Sequence, residues 1–476
     1  MGNRIKYLLK NTSLFAIGEL GSKLINFFLV PLYTYILTAE EYGTVDLIFT
    51  ISTVIIPLVM FNIGEAIMRY ALDKDANHEN LLSIGIVSII FGVIISLLII
   101  PICSHFSIIS NYCWYMYFYV ILSATKTVVT CYLRGKEKLK LYVSCNLLNT
   151  FLIAILNVFF LAVLHKGIKG YLTAYILAEV IAIIYALTFG KIYKDIKKFK
   201  FDKNLCKAMI LFSLAVVPNS LLWWVINSSD RIMVTAIRNV AENGLLAVSY
   251  KLPSILTMIN TILMQAWKYS AIKEKDSKDK DEFSNKMFNQ FLRASMLISA
   301  CLILTIKPLT KILFAESYYM SWESSVFLLI GFILMGLSTF VGTIYYVEKN
   351  MVGNMLSALC GGVVNIVLNA LLIPKMGAAG ATLAATICYF VILIYRYFDT
   401  KKYQNIHLFK KEYILMFTLI IIMTLGNFMS VPVGLLVSIF SFVLLLLINY
   451  NFIIKYINTG IEIIQNMTRK ITNAKQ

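Results

Sequence analysis

Long apolar stretches recur along the whole chain and are separated by short polar segments. An α-helix needs about 20 consecutive apolar residues to cross the ~30 Å hydrocarbon core of a bilayer. Fourteen segments meet that requirement, so the sequence predicts an all-α integral membrane protein with about fourteen transmembrane helices. The predicted spans are 12–37, 43–68, 81–104, 111–133, 141–164, 168–190, 208–236, 245–267, 287–306, 322–347, 353–373, 377–398, 411–429 and 432–454.

Composition supports this class and also predicts the topology. Of 476 residues, 59% are hydrophobic and 14% are charged, whereas soluble domains contain roughly 25% charged residues. The net charge of +18 would suggest nucleic-acid binding in a soluble protein. Here most of the 43 lysines and arginines lie in alternate short segments between spans. The positive-inside rule therefore predicts that both termini are cytoplasmic and that the basic loops contact anionic membrane lipids, with no nucleic-acid partner.

Two short motifs occur twice, which indicates an internal repeat. The sequence E-Y-G at 41–43 is matched by E-N-G at 242–244, and G-I-K-G at 167–170 is matched by G-A-A-G at 377–380. Each copy stands at an equivalent span junction, six spans apart, so the repeats are parallel. The predicted regions are an N-terminal lobe at 1–200, a C-terminal lobe at 201–400, and helices 13 and 14 with a basic amphipathic tail at 401–476.

Several spans carry charged side chains, and each costs about 2.5–3.5 kcal/mol at mid-bilayer. Helical spacing places many of them on polar stripes of helices 1, 2, 4 and 7, which predicts an internal aqueous cavity. Cations there would attract an anionic ligand, and acids would carry a coupling cation or proton. The predicted substrate-binding residues are Lys23, Arg69, Lys126, Arg231, Lys251 and Arg293, and the predicted ion-coupling residues are Glu19, Glu65, Glu179 and Asp230.

Structural roles are an alternative for most of these charges. Glu19–Lys23 and Glu65–Arg69 could form ion pairs, because the residues of each pair are four apart in sequence. Asp230 and Arg231 could form a pair at the outer end of their helix, and Asp46 could lie near the outer interface. Lys251 and Arg293 could snorkel towards the membrane surface. Lys126 differs because it has no carboxylate within four residues in sequence. We therefore expect Lys126 to be the strongest single candidate for contact with a ligand.

The motifs of enzymes and metal sites are missing from the sequence. It contains no G-x-x-x-x-G-K-[ST] or H-E-x-x-H, its four histidines are scattered, and its eight cysteines form no C-x-x-C. Most of the cysteines lie in apolar runs and are expected to be small buried hydrophobic residues. The sequence thus predicts a protein that is not an enzyme, with no cofactor or metal beyond a coupling H⁺ or Na⁺.

Six segments in order along the chain resemble a known family. They are N-T-S-L-F-A from Asn11, L-x-x-x-Y-x-x-x-L at 29–37, E-Y-G at 41–43, N-x-x-D-R at 227–231, G-x-x-x-V-S-Y-K at 244–251 and I-P-K-M-G-A-A-G-A-T at 373–382. Their order and spacing resemble those of Wzx-type polysaccharide repeat-unit flippases. That family belongs to the multidrug/oligosaccharidyl-lipid/polysaccharide (MOP) exporter superfamily.

The resemblance implies two six-helix lobes around a central cationic cavity in a bacterial cytoplasmic membrane. It also implies that an undecaprenyl-diphosphate-linked oligosaccharide is moved to the outer leaflet by alternating access, coupled to an ion gradient. The product would be a capsule, exopolysaccharide, O-antigen or teichoic-type polymer, and the partners would be glycosyltransferases and a polymerase. The alternatives are a cation-coupled multidrug exporter, a lipid II flippase, and a membrane scaffold that transports nothing. The resemblance implies that a lipid II flippase would have a first helix rich in arginine. Helix 1 of this chain carries Lys23 and no arginines, which argues against lipid II as the substrate.

Overall fold

The computed structural model describes residues 18–73, 76–275, 277–348, 350–456 and 458, and these contain helices and no strands. Each of the fourteen predicted spans coincides with helical residues. Residues 12–17 of the first predicted span and the predicted amphipathic tail from 459 onwards lie outside the described residues. The all-α membrane class predicted from the sequence is therefore confirmed.

The helices follow one another with short connections. In chain order they are α1 (18–28), α2 (Val30–Ile36), α3 (Ala39–Val59), α4 (Ile63–Ala71), α5 (His78–Leu97), α6 (Ile99–Ser104), α7 (Ser107–Ser110), α8 (Cys113–Gly135), α9 (Leu139–Asn157), a π-helix (Val158–Val163), α10 (Gly167–Phe189), α11 (Ile192–Ile196), α12 (Lys203–Ile237), α13 (Val240–Ser249), α14 (Ser254–Lys273), α15 (Lys280–Leu313), a 3₁₀ turn (Glu316–Tyr318), α16 (Ser321–Val347), α17 (Met351–Thr400), α18 (Lys411–Gly426) and α19 (Val431–Ile448).

Within the described residues, nine helices are long and apolar enough to span a bilayer, or ten if α13 and the first part of α14 form one bent span. Two structural details account for part of the difference from fourteen. The 50-residue α17 contains two predicted spans, and α18, at 16 residues, is shorter than a typical transmembrane helix. The chain is a multi-pass membrane protein, and the count of fourteen stays a prediction.

Local sequence explains where several helices begin and break. Thr38 forms a capping box with Glu41, which satisfies free backbone N–H groups at the start of α3. The second predicted span is interrupted where Phe61 and Asn62 adopt positive φ, so it becomes α3 followed by α4. The 50-residue α17 is likewise kinked at Gly377, where φ is 56° and ψ is −133°.

The helices pack into two compact units. The first contains the described parts of Met1–Lys251, Thr310–Ser324 and Ala358–Ala384, and one of its hydrophobic cores lies among α4, α5, α8 and α10. Small side chains in that core, such as Ala124, Ala182 and Ala186, allow the close helix approach that replaces the hydrophobic effect inside a bilayer.

The second unit contains the described parts of Leu252–Leu309, Ser325–Ser357 and Ala385–Gln476. Its interior is aromatic: the rings of Trp267 and Phe340 stack with centroids 4.2 Å apart, and Phe288 lies edge-on to Phe340 at 5.3 Å. Two units defined by packing do not test the lobe boundaries predicted from the repeat, which stay a prediction.

The repeated motifs have matching local geometry. Gly167 and Gly377 both adopt positive φ, at 53° and 56°, a conformation that favours glycine. A Cβ at Gly167 would lie 3.3 Å from Glu41 Oε1, and a Cβ at Gly377 would lie 2.6 Å from Glu242 Oε2. In each half of the repeat, the glutamate of the first motif therefore lies against the first glycine of the second motif: Glu41 against Gly167, and Glu242 against Gly377.

We predict that Gly377→Ala destabilises the protein, because the alanine would combine positive φ with a clash against Glu242. Strain of this kind costs about 1–3 kcal/mol, so the melting temperature of the purified protein should fall by several degrees. Gly362→Ala on the same helix is the control, since its Cβ would lie an ordinary 3.6 Å from Ile226. Equal melting temperatures for the two variants would contradict the prediction.

Candidate functional site

The first candidate site is a buried ion pair between α8 and α10. Lys126 Nζ lies 2.7 Å from Glu179 Oε1, and the two side chains are 16% and 4% exposed. With its amide oxygen facing the ammonium, Asn149 of α9 accepts a hydrogen bond from Lys126 at 2.8 Å and donates one to the Ala178 carbonyl at 3.0 Å. Lys126 has no carboxylate nearby in sequence, but a neighbouring helix supplies one.

Glu179 uses only one of its two carboxylate oxygens in this pair. Its second oxygen, Oε2, is buried and has no hydrogen-bond partner among the described residues. A carboxylate in such a position depends on one lysine for most of its charge compensation, since few other donors reach it. We call Lys126 and Glu179 the first buried pair.

The second candidate site joins α3 to α12 and is also in the first unit. Arg231 forms an ion pair with Asp46, while the neighbouring Asp230 accepts a hydrogen bond from Tyr250 Oη at 2.6 Å. The predicted ion pair between Asp230 and Arg231 is therefore wrong: consecutive residues on a helix point in different directions, and Arg231 contacts Asp230 through its backbone N–H at 2.9 Å. We call Asp46 and Arg231 the second buried pair.

Two further groups approach the second buried pair. Asn243 Nδ2 lies 3.4 Å from Asp46 Oδ2, and the Arg231 guanidinium lies 5.1 Å from the centre of the Tyr250 ring. Lys251 Nζ lies 5.9 Å from the centre of the Tyr42 ring. Tyr42 lies one helical turn before Asp46 on α3. Asp46 itself has a side chain only 14% exposed. It is a buried counter-ion for Arg231, and the sequence analysis did not include it among the site residues.

A chain of aromatic ring contacts connects the two buried pairs. Tyr42 lies 6.1 Å from Tyr33, Tyr33 lies 4.8 Å from Tyr171, and Tyr171 lies 5.1 Å from Tyr175, measured between ring centroids. Tyr175 precedes Glu179 by one turn of α10, so these rings connect the second buried pair to the first. The internal aqueous cavity stays a prediction. The aromatic cluster consists of Tyr33, Tyr42, Phe49, Tyr119, Tyr171 and Tyr175.

Four predicted residues lie in more exposed positions. Glu19 and Lys23 form the expected pair at 2.9 Å, with side chains 44% and 34% exposed. The expected pair of Glu65 with Arg69 is wrong, because Arg69 turns to Asp73 at 2.7 Å. Arg69 and Glu65 are both exposed. An exposed pair of this kind contributes little to stability, so these four side chains are free to take other partners.

Arg293 has a different environment in the second unit. Its guanidinium donates to Asn289 Oδ1 at 2.8 Å, to Asn449 Oδ1 at 2.8 Å, and to Glu412 Oε2 at 2.5 Å. These partners fix α15 to α18 and to the end of α19. This geometry favours a structural role for Arg293 over the predicted contact with substrate, because every guanidinium nitrogen already has a partner.

Arg396 is a buried cation that is not among the predicted site residues. It is 3% exposed and donates to the Ser338 carbonyl at 2.9 Å, to Ser357 Oγ at 3.0 Å and to Asn354 Oδ1 at 2.9 Å. The signal that could have found it is its position inside the predicted span 377–398, where a charge needs polar partners. Neutral oxygens from two helices hold this cation at the end of α17.

An apolar groove of about 330 Å³ lies in the second unit. It is formed by α14, α15 and α16 and by the helical residues 450–456 that follow α19. Trp267, Phe291 and Phe340 form one wall, and Phe452 and Tyr456 form the other. A groove with such a lining suits a hydrocarbon chain. The described residues contain no group of three or more His, Cys, Asp and Glu that could hold a metal ion.

The model of a family described as polysaccharide biosynthesis protein matches residues 8–268, which is more than half of the chain. The chain belongs to this family. No protein with a curated description matches it. The match agrees with the resemblance seen in the sequence motifs.

Solved structures show the fold. The lipid II flippase MurJ in an inward closed conformation is 13% identical, with a TM-score of 0.70, over 92% of this chain and 99% of that chain. An inward-facing multidrug resistance MATE transporter of the MOP superfamily is 15% identical, with a TM-score of 0.65, over 80% of this chain and 94% of that chain. The polysaccharide biosynthesis protein therefore has the fold of MOP-superfamily transporters, and these neighbours are transporters.

We predict that Lys126→Ala lowers stability strongly and that adding Glu179→Gln restores much of the loss. Removing one partner of a buried ion pair costs about 3–5 kcal/mol, because the remaining charge is left unpaired. Melting temperatures of the single and double variants test this.

The control for that series is Lys23→Ala, whose partner Glu19 is 44% exposed. An exposed pair contributes about 0–1 kcal/mol, so this variant should melt close to the parent protein. If the double variant melts no higher than Lys126→Ala, the first buried pair does not behave as an isolated ion pair.

Proposed function

We propose that this protein flips a polyprenyl-diphosphate-linked oligosaccharide repeat unit from the inner to the outer leaflet of a bacterial cytoplasmic membrane. Both termini would be cytoplasmic, and the product would supply a capsule, exopolysaccharide, O-antigen or teichoic-type polymer. Transport would proceed by alternating access and use a proton or sodium gradient. Glycosyltransferases and a polymerase of the same pathway would be its functional partners.

Membership of the polysaccharide biosynthesis protein family supports a glycan substrate. The fold supports transport, because the similar structures are a lipid II flippase and a multidrug transporter. A lipid-linked glycan has a charged headgroup and a long hydrocarbon chain. The two parts need different surfaces, and this protein contains candidates for each.

The observation that carries the proposal is the first buried pair. Lys126 is neutralised by Glu179 in this conformation, so it is available to a diphosphate only when Glu179 loses its charge or moves away. If a phosphate oxygen replaces Glu179 as the partner of Lys126, the abandoned carboxylate favours protonation, because a lone charge in a dry site is costly. Substrate binding and proton uptake would then be linked through one exchange of partners.

The second buried pair suits a parallel role. Arg231 can contact a phosphate through two nitrogens at once, and Asp46 would release it in the same way that Glu179 releases Lys126. Asp230 lies next in sequence and is 2% exposed, so it is a second candidate to bind a coupling ion.

The other predicted residues have supporting roles in this proposal. Positive charge along the path of the headgroup would come from Lys251, Arg69 and Lys23. The coupling acids would be Glu179 and Asp230, with Glu19 and Glu65 at exposed positions.

The apolar groove of the second unit supports a lipid-linked substrate. Its walls are hydrocarbon and aromatic, with Gln290 and Ser270 as polar members. A polyprenyl chain could lie there without leaving an apolar environment, while its headgroup is bound elsewhere. A free sugar or a small hydrophilic ion would have no use for such a groove.

A cation-coupled multidrug exporter is the second candidate function, favoured by the similarity to MATE structures. Drug susceptibility of a strain lacking the gene separates the two functions. Increased susceptibility with unchanged surface glycan would favour the exporter. A requirement for viability, with lipid II as the lipid that accumulates, would instead favour a lipid II flippase.

We predict that a strain lacking the gene accumulates lipid-linked glycan on the cytoplasmic leaflet and that the native gene restores export. Lys126→Gln with Glu179→Gln should leave protein abundance near normal and abolish export, because the exchange of partners is lost. Glu179→Gln alone leaves Lys126 unpaired and should lower stability, and the export that remains should no longer depend on the proton gradient. Leaflet-specific detection of the lipid-linked glycan measures all three.

The matched control is the ion pair of Lys136 with Asp195, at 2.5 Å and with side chains 22% and 19% exposed. Partial burial acts to raise the pKa of Asp195, but hydrogen bonds from Lys136 and Tyr132 outweigh it and lower the pKa below its ordinary value. Lys136→Gln with Asp195→Asn removes an equally close pair outside the proposed site, and export should persist. Full export from the Lys126–Glu179 double variant would remove that pair from the mechanism.

We also predict that Ala294→Phe reduces export, because a ring added at the groove would fill space needed by the polyprenyl chain. Ile312→Phe is the control: it adds a ring on the same helix at a side chain 71% exposed. The same glycan export assay compares the two. Equal export by both variants would show that the groove does not hold the lipid.

A further inference from the structure

Two adjacent tryptophans lie on α12, two helical turns before Arg231. The indole N–H of the second, Trp224, donates to the Thr50 carbonyl and to Thr53 Oγ1 of α3, both at 3.2 Å. Arg231 pairs with Asp46 on the same helix α3. Because seven residues make about two turns, Trp224 and Arg231 share one face of α12, about 10 Å apart along its axis. The contact of α12 with α3 therefore has a cation at one end and a tryptophan ring at the other.

Polar groups surround the two tryptophans and are open to their surroundings. Trp223 and Trp224 are partly exposed, and Thr53 and Asn227 are exposed. Asn227 lies about one turn from Trp224, in the direction of Arg231, and its amide donates to the Trp223 carbonyl at 2.7 Å. The polar atom of Trp224 is bound to α3, so what remains open is the surface of its ring. We call Trp223, Trp224, Asn227 and Thr53 the tryptophan face.

The tryptophan face lies on the polar side of α12. Helical spacing places Trp223 and Asn227 roughly opposite Val225 and Ile232, which are apolar. Asn227 lies within the predicted span 208–236, where contact of an amide with hydrocarbon is costly. An amphipathic helix in a bilayer turns its apolar side to lipid. The tryptophan face is therefore directed away from lipid, towards polar surroundings.

The chemistry of this face suits a sugar better than an ion. The electron-rich surface of an indole ring attracts the slightly positive C–H groups on the face of a sugar ring. A carboxamide and a hydroxyl both donate and accept hydrogen bonds, which matches the hydroxyl groups of a sugar. None of the four side chains carries a charge. The charge lies at Arg231, the residue proposed above to contact a phosphate through two nitrogens.

We propose that the tryptophan face binds the sugar attached to the diphosphate of the transported lipid, while Arg231 binds the phosphate. This inference rests on the proposed function and assigns the sugar part of its substrate to named residues. A ring surface accepts any sugar that presents C–H groups, so the face distinguishes a carrier lipid with a glycan from a bare one. It does not distinguish one sugar from another.

Binding of defined lipids to the full-length protein in nanodiscs tests this. The probes are undecaprenyl diphosphate and the same lipid carrying a single N-acetylglucosamine, glucose or galactose. The unaltered protein should bind the sugar-bearing lipids about fivefold more tightly than the bare lipid, the effect of one added aromatic contact. Equal affinity for the bare lipid and for every sugar-bearing lipid would overturn the proposal.

Substitutions of Trp224 separate a binding role from a structural one. Trp224→Leu should abolish the preference for sugar-bearing lipids and leave the affinity for the bare lipid in place. Trp224→Phe keeps a ring but loses the hydrogen bonds to α3, so it should retain most of the preference. If Trp224→Leu weakens the binding of all probes equally, Trp224 only holds α12 against α3 and the proposal is wrong.

Trp114→Leu is the matched control. Trp114 is 58% exposed and lies at the start of α8, outside the proposed site. This variant loses the same ring and should keep the full preference for sugar-bearing lipids. Loss of the preference in Trp114→Leu would show that the effect is not specific to the tryptophan face.

Trp223→Leu and Asn227→Ala keep the test decisive if Trp224→Leu fails to fold. Both change side chains that are at least partly exposed, and each should reduce the preference by a smaller factor. An unchanged preference in both variants would overturn the proposal. Failure of every probe to bind would overturn the proposed function as well, whereas binding of the bare lipid with no gain from a sugar would overturn only the role of the tryptophan face.

Discussion

The cost of an unpaired charge in a dry interior determines how the functional part of this molecule is built. Each ionised group away from water needs a partner within a few ångströms, or it loses its charge. Lys126 meets that need with Glu179, and Arg231 meets it with Asp46. Both pairs join helices that are distant in sequence, so they hold the interior of the first unit together while remaining exchangeable for a ligand of the same charge.

This pairing changes how the buried positive charges are available to a ligand. The sequence predicts an excess of positive side chains, which suggests a permanently attractive site for phosphate. In this conformation Lys126 and Arg231 are each neutralised by an acid, and a chain of tyrosine ring contacts connects the two pairs. In the proposed function, a diphosphate would compete with these carboxylates for the same cations, and that competition would couple proton uptake to substrate binding.

Close backbone contacts are a second constraint on the packing. Glycines at 43 and 244 allow the backbones of α3 and α13 to approach each other, and Gly377 allows α17 to kink beside Glu242. Gly43 lies about one helical turn before Asp46 on α3, so the close approach of α3 to α13 and the pairing of Asp46 with Arg231 favour the same conformation.

The amino-acid sequence by itself determined the membrane class, the repeated motifs and the family, because these depend on local hydrophobicity and on short patterns. It also singled out Lys126, Arg231 and Glu179 as charges within apolar runs, where a charge is costly wherever it lies; their roles in binding and coupling stay predictions. The partners were decided by the tertiary structure. Sequence spacing identifies neighbours three or four residues apart on one helix, as for Glu19 with Lys23. It does not identify which helix lies opposite. Lys126 with Glu179, Arg231 with Asp46 and Arg293 with Glu412 meet only after the helices pack, and that packing made two predicted ligand contacts internal pairs and gave Arg293 structural partners.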